Sequence, residues 1–127
     1  MANRYMHPIQ GSLTRGLVLV MGRFRPNGTG TVDNTLNKGA GYTVARNNAG
    51  DFTITLDDKY NDLVSANAAV HAAADTDLVV TIGAEDVDGA KTVKLTVLTG
   101  TTPTDMASDA DSWISFQLFL KNTGVAN

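Results

Sequence analysis

Phe52, Ile54 and Leu56 alternate with Thr53 and Thr55, and the same two-residue step returns in Val93, Leu95, Val97 and in Ile114, Phe116, Leu118, Leu120. Successive side chains of a strand point to opposite sides, so this step places one apolar row on one face of a sheet. A chain that repeats the pattern between turn-forming residues is restricted to sheets, and each sheet must bury its apolar face against another layer. The expected fold is therefore all-β: an antiparallel β-sandwich or small barrel of about six to eight strands, with at most one short helix. At 127 residues the chain has the size of one domain. That domain is expected over residues 13–122, with an N-terminal arm at 1–12 and a polar C-terminal tail at 123–127.

Residues 13–24 form the first strand candidate, and 26–39 a polar loop with Val32 and Leu36 as tethers. Residues 42–45 and 51–56 read as a hairpin, closed by Asn47, Asn48 and Gly50. A second hairpin is expected from 78–82 and 92–98 across an acidic turn. The last strand is expected at 112–120. Between the hairpins, 57–74 is rich in alanine, a strong helix former, and reads as a short helical turn followed by an irregular crossover.

Two of these strands are apolar on both faces. Leu17, Leu19 and Met21 oppose Val18, Val20 and Phe24, while Trp113 and Phe119 oppose the row from Ile114 to Leu120. A strand with one face in water alternates with polar residues. The surplus apolar surface points to a neighbouring subunit. Its expected contact residues are Leu17, Leu19, Met21, Trp113 and Phe119, joined by Tyr5, Met6 and Ile9 from the arm.

Little in the chain supports chemistry. There is no cysteine, which removes disulfides, thiolate nucleophiles and thiolate metal sites. His7 and His71 lie far apart in unpromising surroundings. The acidic groups Glu85, Asp86, Asp88 and Asp105, Asp109, Asp111 read as solvated turns rather than calcium loops. The Gly28-Thr29-Gly30 stretch lacks the lysine and following helix of a phosphate loop. The expectation is a non-enzyme with no cofactor and no metal. Formal net charge is -3 and the basic residues are scattered apart from Arg23 and Arg25, so nucleic acid is not an expected partner. The longest apolar run, residues 17–21, is too short to cross a bilayer and the first ten residues do not read as a signal peptide, so synthesis in the cytoplasm is expected. Surface aromatics, Trp113, Phe119 and Tyr60, leave a sugar-binding face open as a lesser reading.

The run Gly41-Tyr42-Thr43-Val44-Ala45-Arg46, with Gly50, the residues from Thr53 to Leu56 and Lys59-Tyr60, resembles a pattern in small virion structural proteins of tailed bacteriophages. The ending Ile114-Ser115-Phe116, Leu118, Leu120, Lys121-Asn122 and the opening Gly11-Ser12-Leu13 are similar to theirs as well. The likeness covers residues 11–122 in patches. It implies a capsid cement or decoration protein on the virion surface, whose partners are copies of itself, as a dimer or trimer, and the major capsid protein. It supplies no catalytic residue. A tail, neck or fibre component is the first alternative, and a carbohydrate-binding β-sandwich module the second.

Overall fold

A computed structural model describes residues 16–74 and 76–122. The expected arm with Tyr5, Met6 and Ile9, and the expected tail, lie outside the described residues. Among the described residues there are nine strands: β1 (Leu17–Phe24), β2 (Lys38–Gly39), β3 (Tyr42–Asn48), β4 (Asp51–Leu56), β5 (Asp62–His71), β6 (Leu78–Asp86), β7 (Thr92–Thr99), β8 (Thr102–Pro103) and β9 (Trp113–Lys121). They form two antiparallel sheets packed as a sandwich. One has four strands in the order β2-β1-β9-β5; the other has five, in the order β3-β4-β7-β6 with β8 added to the end of β7. Two of the nine strands are only two residues long. Apart from one 3-10 turn at Asn34–Leu36, the described residues hold no helix.

The alternating rows form the core as their spacing requires. Phe52, Ile54 and Leu56 from β4, Val93, Leu95 and Val97 from β7, and Ile114, Phe116, Leu118 and Leu120 from β9 are buried between the sheets. Phe24 of β1 meets Phe52 across the layers at 5.1 Å between ring centroids. The β3–β4 hairpin turns through Ala49 and Gly50, and Gly50 takes φ +65°, which glycine adopts without steric cost. Val32 is buried beneath the 26–37 loop, whereas Leu36 is exposed rather than a tether.

The alanine-rich segment departs from expectation. Residues 62–71 are a ten-residue strand, β5, paired along its length with β9, and neither a helical turn nor an irregular crossover. The acidic turn also starts later than expected, because β6 continues to Asp86 through a register shift between Ile82 and Glu85. Val87 beyond it is 1% exposed and plugs one end of the core.

One ion pair ties β3 to the loop that precedes β9. Arg46 Nε donates to Asp105 Oδ1 at 2.9 Å and Arg46 Nη2 to Oδ2 at 2.8 Å, while the Gly50 N–H donates to Oδ1 at 3.0 Å. The Arg46 hydrogen bonds hold the Asp105 carboxyl below the usual carboxylate range, with partial burial opposing them and the Gly50 N–H adding to them. A lowered folded-state pKa contributes stability that is present above the unfolded value of about 3.9 and is lost as pH falls through the folded value. Asp105→Asn is therefore expected to be less stable than the parent at pH 7, with the gap closing in more acidic buffer. Thermal melts at pH 7 and at successively lower pH through the acid range check this; a gap that stays equal throughout would count against the ion pair.

Candidate interaction face

The outward face of the four-stranded sheet carries every described contact candidate. The β1–β9 register sets Leu19 opposite Phe119, Leu17 opposite Lys121, Met21 opposite Gln117 and Arg23 opposite Ser115. On the other flank of β9, Ser65 lies opposite Phe119, Asn67 opposite Gln117, Ala69 opposite Ser115 and His71 opposite Trp113. Three zones follow along the strands.

The first zone is apolar. Leu17, Leu19 and Phe119 cluster there half-buried, and Met21 continues the row at 47% exposure. The second zone is a shallow groove of about 640 Å³, lined among others by Met21, Arg23, Asn67, Ala69, Ser115 and Gln117. Its floor is low because Ala69 and Ser115 are short, and the Asn67 and Gln117 amides offer both donors and acceptors. The third zone is an aromatic stack. The Arg23 guanidinium lies 4.1 Å from the centre of the Trp113 ring, and the His71 ring stacks on Trp113 at 4.7 Å and 23°. Arg23 and His71 come from β1 and β5, the strands on either side of β9, so the sandwich itself positions both against the indole.

The structure thus joins Leu17, Leu19, Met21 and Phe119, and sets Trp113 apart from them. Trp113 and Phe119 are six residues apart along β9, which places them ~20 Å apart at the usual rise of a strand. Tyr60 is not on this face. It packs against the core, its backbone N–H donating to the Val87 carbonyl at 3.0 Å. Desolvation, followed by the charges of Asp58 and Asp57, pushes its phenol pKa up. Arg23, Asn67, His71 and Gln117 were not singled out as contact residues. The strand β5 had first to be known before its register placed Asn67 and His71 on this face.

The face offers contact chemistry: dispersion, cation–π attraction and amide hydrogen bonds. Of the carboxylates considered for calcium, three accept from nearby backbone N–H groups, and Asp105 is held by Arg46. Glu85 accepts from the Val87 N–H, Asp86 from the Ala90 N–H and Asp109 from the Asp111 N–H. Among the described residues, no three His, Asp or Glu side chains group closely enough to hold a metal ion.

No protein family, curated protein or solved structure matches the chain.

Proposed function

We propose that the protein is a non-catalytic virion subunit of the tailed-phage kind, a capsid cement or decoration protein that holds a shell together through contacts between subunits. The observation that carries this reading is the apolar zone of Leu17, Leu19, Met21 and Phe119 on the outward face of a sheet, with Met21 47% exposed. Large apolar side chains gathered on an open sheet face are the composition of an interface centre. The resemblance in the β3–β4 hairpin and in β9 supplies the virion context. A shell of many identical subunits multiplies a modest contact, so no single site has to be strong. The major capsid protein is the partner that this reading gives to the outward face.

The test is re-addition of purified protein to heads from which it has been stripped, followed by cryo-electron microscopy of the particles. Leu19→Lys and Phe119→Lys place a charge inside the contact without touching the buried row, and each is expected to weaken attachment at least tenfold, roughly 1.4 kcal/mol. Attachment unchanged by both substitutions, or density for the protein in the tail rather than on the head, overturns the capsid reading. In the second case the tail, neck or fibre alternative takes its place.

A carbohydrate-binding module is the other reading with an observation behind it, the amide-lined groove beside Trp113. Sugar-binding aromatics present a free ring face, and here the indole is already engaged by Arg23 and His71. A glycan array separates the two readings, since only the module binds sugars and loses them with Trp113→Ala.

A further inference from the structure

The two sheets end in four edge strands, and three are blunted. At one end of the four-stranded sheet, β2 is two residues long and covers Gly22 and Arg23 of β1, leaving only the short stretch Leu17–Met21 open there. At one end of the other, β3 is capped by a side chain: Asn34 Oδ1 accepts from the Val44 N–H at 2.8 Å, and Asn34 Nδ2 donates to the Val44 carbonyl at 3.1 Å. The opposite edge, β6, is broken by a register shift and finishes in Glu85 and Asp86. Short length, occupied backbone groups, bulges and charge are the usual devices that keep sheet edges from pairing.

The fourth edge, β5, differs. It runs for ten residues with the sequence Asp-Leu-Val-Ser-Ala-Asn-Ala-Ala-Val-His and contains no Lys, Arg or Pro. Among the described residues no strand hydrogen-bonds its free side, although β6 of the other sheet packs close to it. The core is also open there. The inward residues Leu63, Ala66, Ala68 and Val70 are only half-buried, whereas Ile54, Val93 and Leu95 in the interior strands are fully buried.

The edge is complementary to itself. Read on the rungs of β9, Asn67 lies opposite Gln117, His71 opposite Trp113 and Asp62 opposite Lys121. The bulge between Leu63 and Ser65 absorbs one residue, so Asp62 and His71 stand equally far from Asn67 on either side. A twofold axis through Asn67 then sets Asp62 opposite His71 of the second copy at both ends. It also sets Leu63 opposite Val70, and Ala66 opposite Ala68. Carboxylate meets imidazole on the outward face, and apolar meets apolar on the inward face. Without the bulge these matches are lost.

We propose that β5 pairs with β5 of a second copy, antiparallel about a twofold axis at Asn67, so that the two four-stranded sheets become one continuous sheet. This deepens the assembly reading by naming the self-contact, and it sets the outward faces of both copies side by side for a common partner. Closed twofold pairing uses the same patch on each subunit, which fits an edge that matches itself.

Sedimentation velocity of the full chain tests it without any capsid. A dimer is expected. Asn67→Lys brings two ammonium groups together at the axis and raises the dimer dissociation constant at least tenfold, with the thermal midpoint of the diluted monomer unchanged. Asp62→Lys alone and His71→Glu alone each weaken the dimer, and the double variant Asp62→Lys/His71→Glu recovers it. A parent chain that stays monomeric at roughly millimolar concentration, a dimer indifferent to Asn67→Lys, or a double variant no tighter than its singles overturns the proposal. Leu19→Lys keeps the dimer while losing capsid attachment, so the failure of one reading is distinguishable from the failure of the other.

Discussion

Phe52→Ala is expected to lower the midpoint of thermal unfolding by about 10–20 °C, one of the two largest effects of a single substitution in this chain. Phe52 lies on β4 opposite Leu95 and is 0% exposed. Its ring meets Phe24 of the other sheet at 56°, a tilted contact that adds to simple area burial. Truncation removes the whole buried ring and leaves a cavity that strands on both sides cannot collapse to fill. Such changes cost about 3–5 kcal/mol, a large share of the roughly 5–15 kcal/mol that holds an ordinary domain together. Thr53→Ala, one residue along and facing out, serves as the control and is expected to cost no more than about 1 kcal/mol, from one hydrogen bond with Asn47 and some strand preference. Circular dichroism melts of both variants give the answer. A Phe52→Ala midpoint within two or three degrees of the parent would show that the sheets are not packed through this ring pair.

The core was legible in the sequence because period-two alternation survives wherever a strand is regular. Phe52, Ile54 and Leu56, Val93, Leu95 and Val97, and the β9 row all entered the core with the faces their spacing implied. β5 was hidden for two physical reasons. Its inward residues are small, and the alanines among them favour helix when judged alone, whereas strand preference depends on the neighbour against which a residue packs. The bulge also breaks the alternation. Inward residues fall at Leu63, then Ala66, Ala68 and Val70, so the first step is three residues and the phase reads like that of a helix. Misreading β5 then concealed its outward row. Leu17, Leu19, Met21 and Phe119 were visible as surplus apolar residues on strands already recognised. Asn67 and His71 became members of the same face only through the β5–β9 register. The Arg46–Asp105 pair was beyond local reading altogether, since its partners are 59 residues apart and meet only when the sandwich closes.

The second large effect is expected at Gly22. This residue lies on β1 between Gly39 of β2 and Phe116 of β9, and its Cα faces the core. A Cβ added there overlaps the ring and hydroxyl of Tyr42 and comes 2.6 Å from the Lys38 carbonyl oxygen. Tyr42 cannot simply swing away. It is 7% exposed, its ring stands edge-on to Phe116 at 4.8 Å, and its hydroxyl is the donor within reach of the Arg23 carbonyl, at 2.9 Å, and the Lys38 carbonyl. Burial raises the Tyr42 pKa, so this anchorage is complete below the unfolded value of about 10 and is lost as pH rises through the folded value. Gly22→Ala is therefore an overpacking change against rigid neighbours, expected to cost about 3 kcal/mol, near the top of the usual range. Tyr42→Ala has its own cost, the loss of a buried ring. The double variant is expected to cost at least about 1 kcal/mol less than the sum, because the new methyl takes up space the ring has left. Urea unfolding of the four proteins measures that coupling. Strict additivity would mean that the ring is not what the methyl meets, and that β1 and β3 are not locked together by this plug. The same substitution bears on assembly. β1 carries Leu17, Leu19 and Met21 on the side facing away from Tyr42, so a strand pushed outward at Gly22 distorts the apolar zone. Under the proposed capsid reading, Gly22→Ala is then expected to weaken attachment together with stability, whereas Leu19→Lys weakens attachment alone.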